Sequence, residues 1–376
     1  MTLFYTAWIY DSAGIPVEFV DDFTTDGGAA FSCTRSVNTP GRFAMNLPAK
    51  YLPLFRDSRR WLDYRIGLFR RIDDGPEVLD TATVYLVRSL VRRRKGLVRS
   101  LTIGGPSAMQ ILKRRIINAA AGSAAAKKTD QLDDMMRVIV REQFGSGAGA
   151  GRDISTLLTV EADQALGISS TRAFSYDNVL EQLQDLAVEA GGTAVPLFFD
   201  VVAPTMATLE FRVRAGQWGI NRTTSAGGQD AVLLSSDEDT LSDVEVEERY
   251  DEEVNYVYVG GSGQEATRVV EPVSDTTRIA TSALNRCEAF GAYTNSEDSA
   301  VLTGHGNTLL RAGRPKKRME ARIVSSPTAQ YGQHWNYGDK LTANDAGDVF
   351  DARVDTITIS MSSGVATAAA VLRSET

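Results

Sequence analysis

Two cysteines and two histidines are all that 376 residues carry. Cys33 and Cys287 stand far apart, which excludes a disulfide framework and a zinc-ligand spacing. They read as buried free thiols in a reducing compartment. His305 lies between Gly304 and Gly306, and His334 precedes Trp335. Neither belongs to an H-E-x-x-H pattern, and no histidine is near Cys287 in sequence. No G-x-S-x-G elbow occurs. The spacings G-x-G-x-x-G and G-x-x-x-x-G-K-[ST] are also missing, so no nucleotide loop is expected. Positive charge is not in excess. The net charge is −8, which argues against duplex nucleic acid as a bound partner. The longest apolar run, around Ala194 to Val202, is too short to span a membrane. The first residues, MTLFYTAWIYDSAG, carry Asp11 and no basic leader, so no signal peptide is expected. No metal and no cofactor is expected from these patterns.

What is present is mostly strand patterning. Tyr250 to Glu271, YDEEVNYVYVGGSGQEATRVVE, alternates Val254, Tyr256 and Tyr258 with Asn255, Val257 and Val259. Gly260, Gly261, Ser262 and Gly263 break the alternation and Ala266 to Val270 restarts it. This predicts a β-hairpin with a glycine loop. A phosphate loop would open a helix instead.

In the first third, Leu3 to Tyr10 is a strand ended by Asp11, Ser12 and Gly14. Leu62, Tyr64, Ile66 and Leu68 alternate with Asp63, Arg65 and Gly67, which predicts a half-buried strand. Thr81 to Val91 and Leu97 to Ile103 are read as strands joined by a basic turn, Arg92, Arg93, Arg94, Lys95 and Gly96. Such a turn is a solvated loop or a subunit contact. Pro40-Gly41 predicts a turn before Phe43, Met45 and Leu47. Pro106 predicts a helix start, with Ile111 and Leu112 buried.

In the middle, Ala119 to Lys128 reads as a linker and Thr129 as a helix cap. Leu132, Met135, Met136, Ile139 and Val140 form one helical stripe, stopped by Gly145. A second helix, about Ser175 to Ala190, buries Val179, Leu183, Leu186, Ala187 and Ala190, and Gly191-Gly192 cap it. The strands Ala194 to Val202 and Ala207 to Val213 follow, so this part is a compact α+β unit.

Ten acids between Asp237 and Glu253 face Arg249 alone. Val244 and Val246 alternate with Glu245 and Glu247, a strand with one charged face. Such acids could serve a paired-carboxylate glycosidase, but a run of them on one strand favours a solvated face. Ser299 to Arg311 reads as a helix. Arg314, Lys316, Lys317 and Arg318 lead into a strand, Met319 to Val324. Val349 to Ile359 and Val365 to Leu372 close the chain as strands.

Several of these segments resemble the tail hub (tail-tip or baseplate hub) proteins of long-tailed bacteriophages. The carriers are Pro40, Gly41, Phe43, Leu47 and Pro48, then Leu112, Arg114, Arg115 and Ile116. An aspartate common after the strand's glycine is replaced here by Gly105 and Pro106. Further on, SYDNVLEQLQDLAVEAGG resembles the middle-domain helix. Asn255, Val257, Gly260, Gly261 and Gly263 resemble the hub hairpin. Trp335, Gly338, Asp339, Val354, Ile357 and Ile359 resemble its ending.

The resemblance implies a mostly β chain, α+β overall: two tail-tube-like β-barrel or sandwich domains, 1–104 and 237–376, around a smaller α+β domain, 105–236. It implies a structural virion protein without enzymatic activity. A homotrimeric, pseudo-hexameric ring would close the distal end of the tail tube and form part of the DNA ejection channel. Implied partners are the tail tube protein, the distal tail protein and other tail-tip or baseplate proteins. Viral DNA would pass without specific binding. The chain would sit in the virion, and in host cytoplasm during assembly. Within this picture Glu245 and Glu247 are lumen candidates, and Arg92, Arg93, Arg94 and Lys95 are subunit or ring contacts. The alternatives are a hexameric distal tail ring and a cell-wall hydrolase.

Overall fold

Among the described residues, the alternating patterns become twenty-four strands and five α-helices in a computed structural model. It describes residues 3–20, 22–23, 29–57, 61–96, 98–118, 126–191, 195–226, 230–263, 267–293, 297–324, 326–362 and 365–374. Residues 119–125 of the expected linker lie outside that set. So do Leu97, Gly192, Ala194 and Ala266 at the ends of expected elements.

The first strands are β1 (Leu3–Tyr10), β2 (Pro16–Val20), β3 (Phe31–Ser36), β4 (Thr39–Pro48), β5 (Arg65–Ile72), β6 (Val78–Leu79), β7 (Tyr85–Leu86), β8 (Ser89–Lys95) and β9 (Val98–Pro106). One sheet has the order β2-β1-β5-β6, with β7 on β5. In β4 the buried Gly41, Phe43, Met45 and Leu47 alternate with exposed Arg42 and Ala44, the period of a one-sided strand.

The middle holds α1 (Gln110–Lys113), β10 (Ala126–Gln131), α2 (Leu132–Phe144), β11 (Leu158–Val160), β12 (Ser169–Phe174), α3 (Val179–Gly191), β13 (Leu197–Val202) and β14 (Leu209–Ala215). The apolar stripes of α2 and α3 are fully buried, and they pack with β11-β14-β13 around a second core.

The remainder is β15 (Asn221–Arg222), β16 (Leu233–Ser235), β17 (Leu241–Arg249), β18 (Tyr256–Gly260), β19 (Val270–Ser274), α4 (Thr276–Ile279), β20 (Glu288–Ala292), α5 (Ser299–Ala312), β21 (Lys316–Ile323), β22 (Lys340–Asp345), β23 (Asp348–Ser362) and β24 (Val365–Ser374). The expected hairpin is β18 with β19. It gains β20 in parallel on its other edge, and α5 covers one face over Val257, Val259 and Val273. This small unit enters and leaves through the β17–β21 ribbon, whose last rung pairs Arg249 with Lys316.

The largest sheet has nine strands, in the order β15-β22-β23-β3-β4-β9-β8, with β16 on β22 and β24 on β23. The organising strand is β23, 15 residues long. Asp348 to Arg353 pair with β22, Thr356 to Met361 pair with β3, and β24 runs along the other edge. One hydrophobic core lies over this sheet and draws on both 1–104 and 237–376. The chain is mostly β with several open sheets. Among the described residues no sheet closes into a barrel.

Local expectations shifted where tertiary contacts override pattern. Pro40-Gly41 lies inside β4, and the turn falls at Asn38 with φ 55°. A Cβ on Gly41 would stand 2.0 Å from the Thr34 carbonyl oxygen, so the glycine serves a close strand crossing. Pro106 ends β9, and the helix starts at Gln110. Thr129 sits in β10, so the cap of α2 is Gln131. The Thr81 to Val91 strand is interrupted, because Thr81 and Ala82 take positive φ beside the buried Asp80. Leu62 is exposed and β5 starts at Arg65, which is buried with its guanidinium bonded to the Ser12 and Met206 carbonyls. The basic run Arg92 to Lys95 is not a turn. It is strand β8, and the turn is at Gly96, with φ 61°.

Candidate assembly surface

Polar side chains at the seams fix how the parts sit together. Asp80, 4% exposed, accepts the Tyr5 hydroxyl at 2.7 Å and the Tyr331 hydroxyl at 2.6 Å. Arg70 lies 3.6 Å from the same carboxylate and over the Tyr331 ring. Burial, then the Asp80 charge, pushes both phenols well above the usual tyrosine range. They stay protonated donors, so the cluster is a clamp between the first and last parts of the chain.

Arg35 of β3 pairs with Asp200 of β13, and both are buried. Burial raises the Asp200 carboxyl to about 6, against the opposing pull of Arg35 and the Val201 N–H. In the resembling W-x-x-G-D segment, Trp335 is buried and Gly338 has φ +81°. Asp339 accepts from the Ile220 and Asn336 amides and from Arg222, so it ties the β22 entry to β15. In the middle, Arg137 joins Asp133 and Asp134 of its own helix to Glu161 and the Val213 carbonyl.

The anticipated surface residues lie on two strand edges. β8 ends the nine-stranded sheet and pairs only with β9 among the described strands. Arg92, Arg93 and Arg94 are exposed. Their guanidinium groups reach neutral oxygens only: Phe55 O at 2.7 Å, Thr102 Oγ1 at 3.5 Å and Gly96 O at 3.3 Å. This edge is cationic, and its arginines meet no carboxylate among the described residues.

Glu245 and Glu247 lie on β17, at rungs opposite Glu320 and Arg318 of β21. Glu248 is opposite Lys317. The backbone register therefore runs the acidic strand alongside the basic segment that begins β21. Glu245 is exposed, while Glu247 is half-buried and held by Arg249 at 2.7 Å. β17 pairs with β21 alone among the described strands. β17 and β8 belong to different sheets, so these acids share no strand pairing with Arg92 through Lys95.

Reactive groups are dispersed. Among the described residues no cluster of three or more His, Cys, Asp or Glu side chains could hold a metal ion. Burial pushes the Cys33 thiol up to about 12, which leaves it inert. His334 Nδ1 accepts from the Gln330 amide at 3.0 Å, and His305 stacks on Tyr293. Among the described residues no helix is long and apolar enough to cross a membrane. Sequence reasoning missed Arg35, Asp80, Asp200 and Arg137. Only the last had a legible signal, acids three and four residues before it on a helix.

Three solved structures share this fold along nearly their whole length. The prophage MuSo2 43 kDa tail protein from Shewanella oneidensis aligns at TM-score 0.60 and 10% identity, covering 98% of each chain. The tail protein from Neisseria meningitidis MC58 aligns at TM-score 0.60 and 10% identity, covering 99% of this chain and 97% of that one. Prophage tail protein gp18 from Listeria monocytogenes EGD-e aligns at TM-score 0.54 and 9% identity, covering 98% and 95%. No curated protein matches in sequence. The Siphovirus ReqiPepy6 Gp37-like protein family matches residues 20–372. With that match over most of its length, the chain belongs to the Siphovirus ReqiPepy6 Gp37-like protein family, and its fold is that of phage tail proteins.

Proposed function

We propose that this protein is a structural tail hub of a phage virion. Three copies form a ring at the distal end of the tail tube. Each copy offers two tube-like β units, 1–104 and 237–376, with 105–236 as a smaller α+β unit between them. Six units around a threefold axis match a sixfold tube, which is a symmetry reason for such a chain.

The supporting observation is the β3–β23 ladder. It holds strands from the first and last parts of the chain in one sheet, where a flexible tether would leave their spacing free. The ring forms part of the DNA ejection channel, with the tail tube protein, distal tail protein and other tail-tip or baseplate proteins as neighbours. Glu245 and Glu247 face the lumen, and Arg92 to Lys95 meet a neighbouring subunit or ring. Assembly precedes this in host cytoplasm, and the role is geometric, with no bond-breaking step.

Native mass spectrometry of the assembled ring, with symmetry from electron micrographs, tests the reading. Three copies with threefold symmetry are expected. Six copies would make it a distal-tail-type ring, and clearing of bacterial cell wall by the purified chain would make it a hydrolase.

A further inference from the structure

A groove of about 830 Å³ runs between β12 and α5. Its two walls have different geometry. On one side five consecutive residues, 168–172, line it. Side chains of a strand alternate between faces, so consecutive lining residues mean that the groove runs along the strand's edge. β12 pairs only with β10 among the described strands, so that edge is open. On the other side the lining residues Val301, Gly304, His305, Thr308 and Arg311 recur at helical spacing, one face of α5. An open strand edge facing a helix is the geometry in which an extended peptide joins a sheet as an added strand.

The groove's charge selects among peptides. Its one acid, Glu189, is occupied: Ser170 Oγ donates to it at 2.9 Å and Arg172 Nε at 3.0 Å. Arg172 is taken up by that acid, while Arg311 is exposed in the groove wall. Ile168 and Val301, 39% and 42% exposed, supply apolar contact within the same groove.

We propose that this groove binds an extended acidic segment of another polypeptide, which adds to the open edge of β12 and sets a carboxylate against Arg311. Strand hydrogen bonds give affinity that is blind to sequence. Arg311 gives the preference for acid. Ile168 and Val301 favour β-branched neighbours. A segment covering 168–172 would be about 17 Å long. The site does not depend on the ring reading above.

A display library of random octapeptides, panned on the full-length protein, supplies the probe. Gly304→Leu is the control, because a Cβ there meets nothing within 4 Å and the longer side chain would fill the groove. The expected outcome is enrichment of alternating β-branched peptides with a central Asp or Glu. The best such peptide, labelled for fluorescence anisotropy, should lose binding to Gly304→Leu, whose melting temperature stays unchanged. Exchanging its acid for Lys should weaken binding about tenfold. Arg311→Glu should invert that preference. N-methylation of alternate peptide amides should abolish binding, which separates strand addition from charge attraction alone. No enrichment over the Gly304→Leu control would overturn the proposal. So would binding that ignores N-methylation, or a heparin oligosaccharide that outcompetes the peptide.

Discussion

The Tyr331 hydroxyl donates to Asp80 Oδ1 at 2.6 Å across 251 residues of chain. Tyr5 donates to the other oxygen, and Arg70 balances the charge. Removing the acid strands two buried phenols and a cation. Asp80→Ala should therefore cost about 3–5 kcal/mol in chemical denaturation. Tyr331→Phe, which deletes one donor, should cost about 1 kcal/mol. Equal small losses for both would mean that the cluster clamps nothing.

Glu161 gives a pH dependence with a definite sign. Burial alone would raise its carboxyl. Bonds from Arg214, the Val213 amide and Arg137 outweigh burial and hold it below the usual range. A depressed folded value means stability present above the unfolded carboxyl range and lost as pH falls through the folded value. Hydrogen exchange of α2 should rise on acidification below about pH 4.3. In Glu161→Gln that acid-dependent step should flatten, and an unchanged step would assign it to other carboxyls.

The β18–β20 and α5 unit has its own small core. Its chain enters and leaves at the Arg249–Lys316 rung, so a two-residue Asn-Gly turn can close that gap. Replacing 250–315 by this turn should leave the melting temperature within about 3 °C. It should also delete peptide binding at β12. A collapse in solubility or melting temperature would show that the unit supports the main core.

Arg93→Glu with Arg94→Glu reverses charge on an exposed sheet edge. Surface changes of this kind alter monomer stability little. Light scattering should show a folded monomer that no longer assembles, and complemented phage should yield no full tails. Full tails would remove β8 from the interface.

Glu245→Lys with Glu247→Lys tests the lumen. Particles should assemble, and DNA release triggered in vitro should slow. Screening over about 8 Å confines the effect to the channel wall. Unaltered release would place these residues elsewhere.

Periodicity carried much of the fold. The stripe from Leu132 to Val140 and the alternation in β4 each named their buried face, because burial of one side leaves a direct imprint on the residues. It could not name partners. A period of two says which way a side chain points and nothing about the neighbouring strand. Hence β3 with β23 was illegible, although Thr356 Oγ1 and Ser36 Oγ meet at 3.0 Å across 320 positions. Charge misled for the same reason. Arg92 to Lys95 looked like a loop because strands seldom carry four cations, yet an open sheet edge accommodates them. Glu247 looked uncompensated, yet Arg249, two residues on along the same strand, holds it at 2.7 Å. The β12 groove left no imprint, since open edges and unfilled space belong to the assembled fold alone.

Because β23 pairs with β22 through one half and β3 through the other, a pull along its axis loads many rungs simultaneously in shear. Peeling would break them one after another. Torque or pressure delivered along β23 is thus shared by two sets of rungs, which meet at the register shift between Val354 and Thr356.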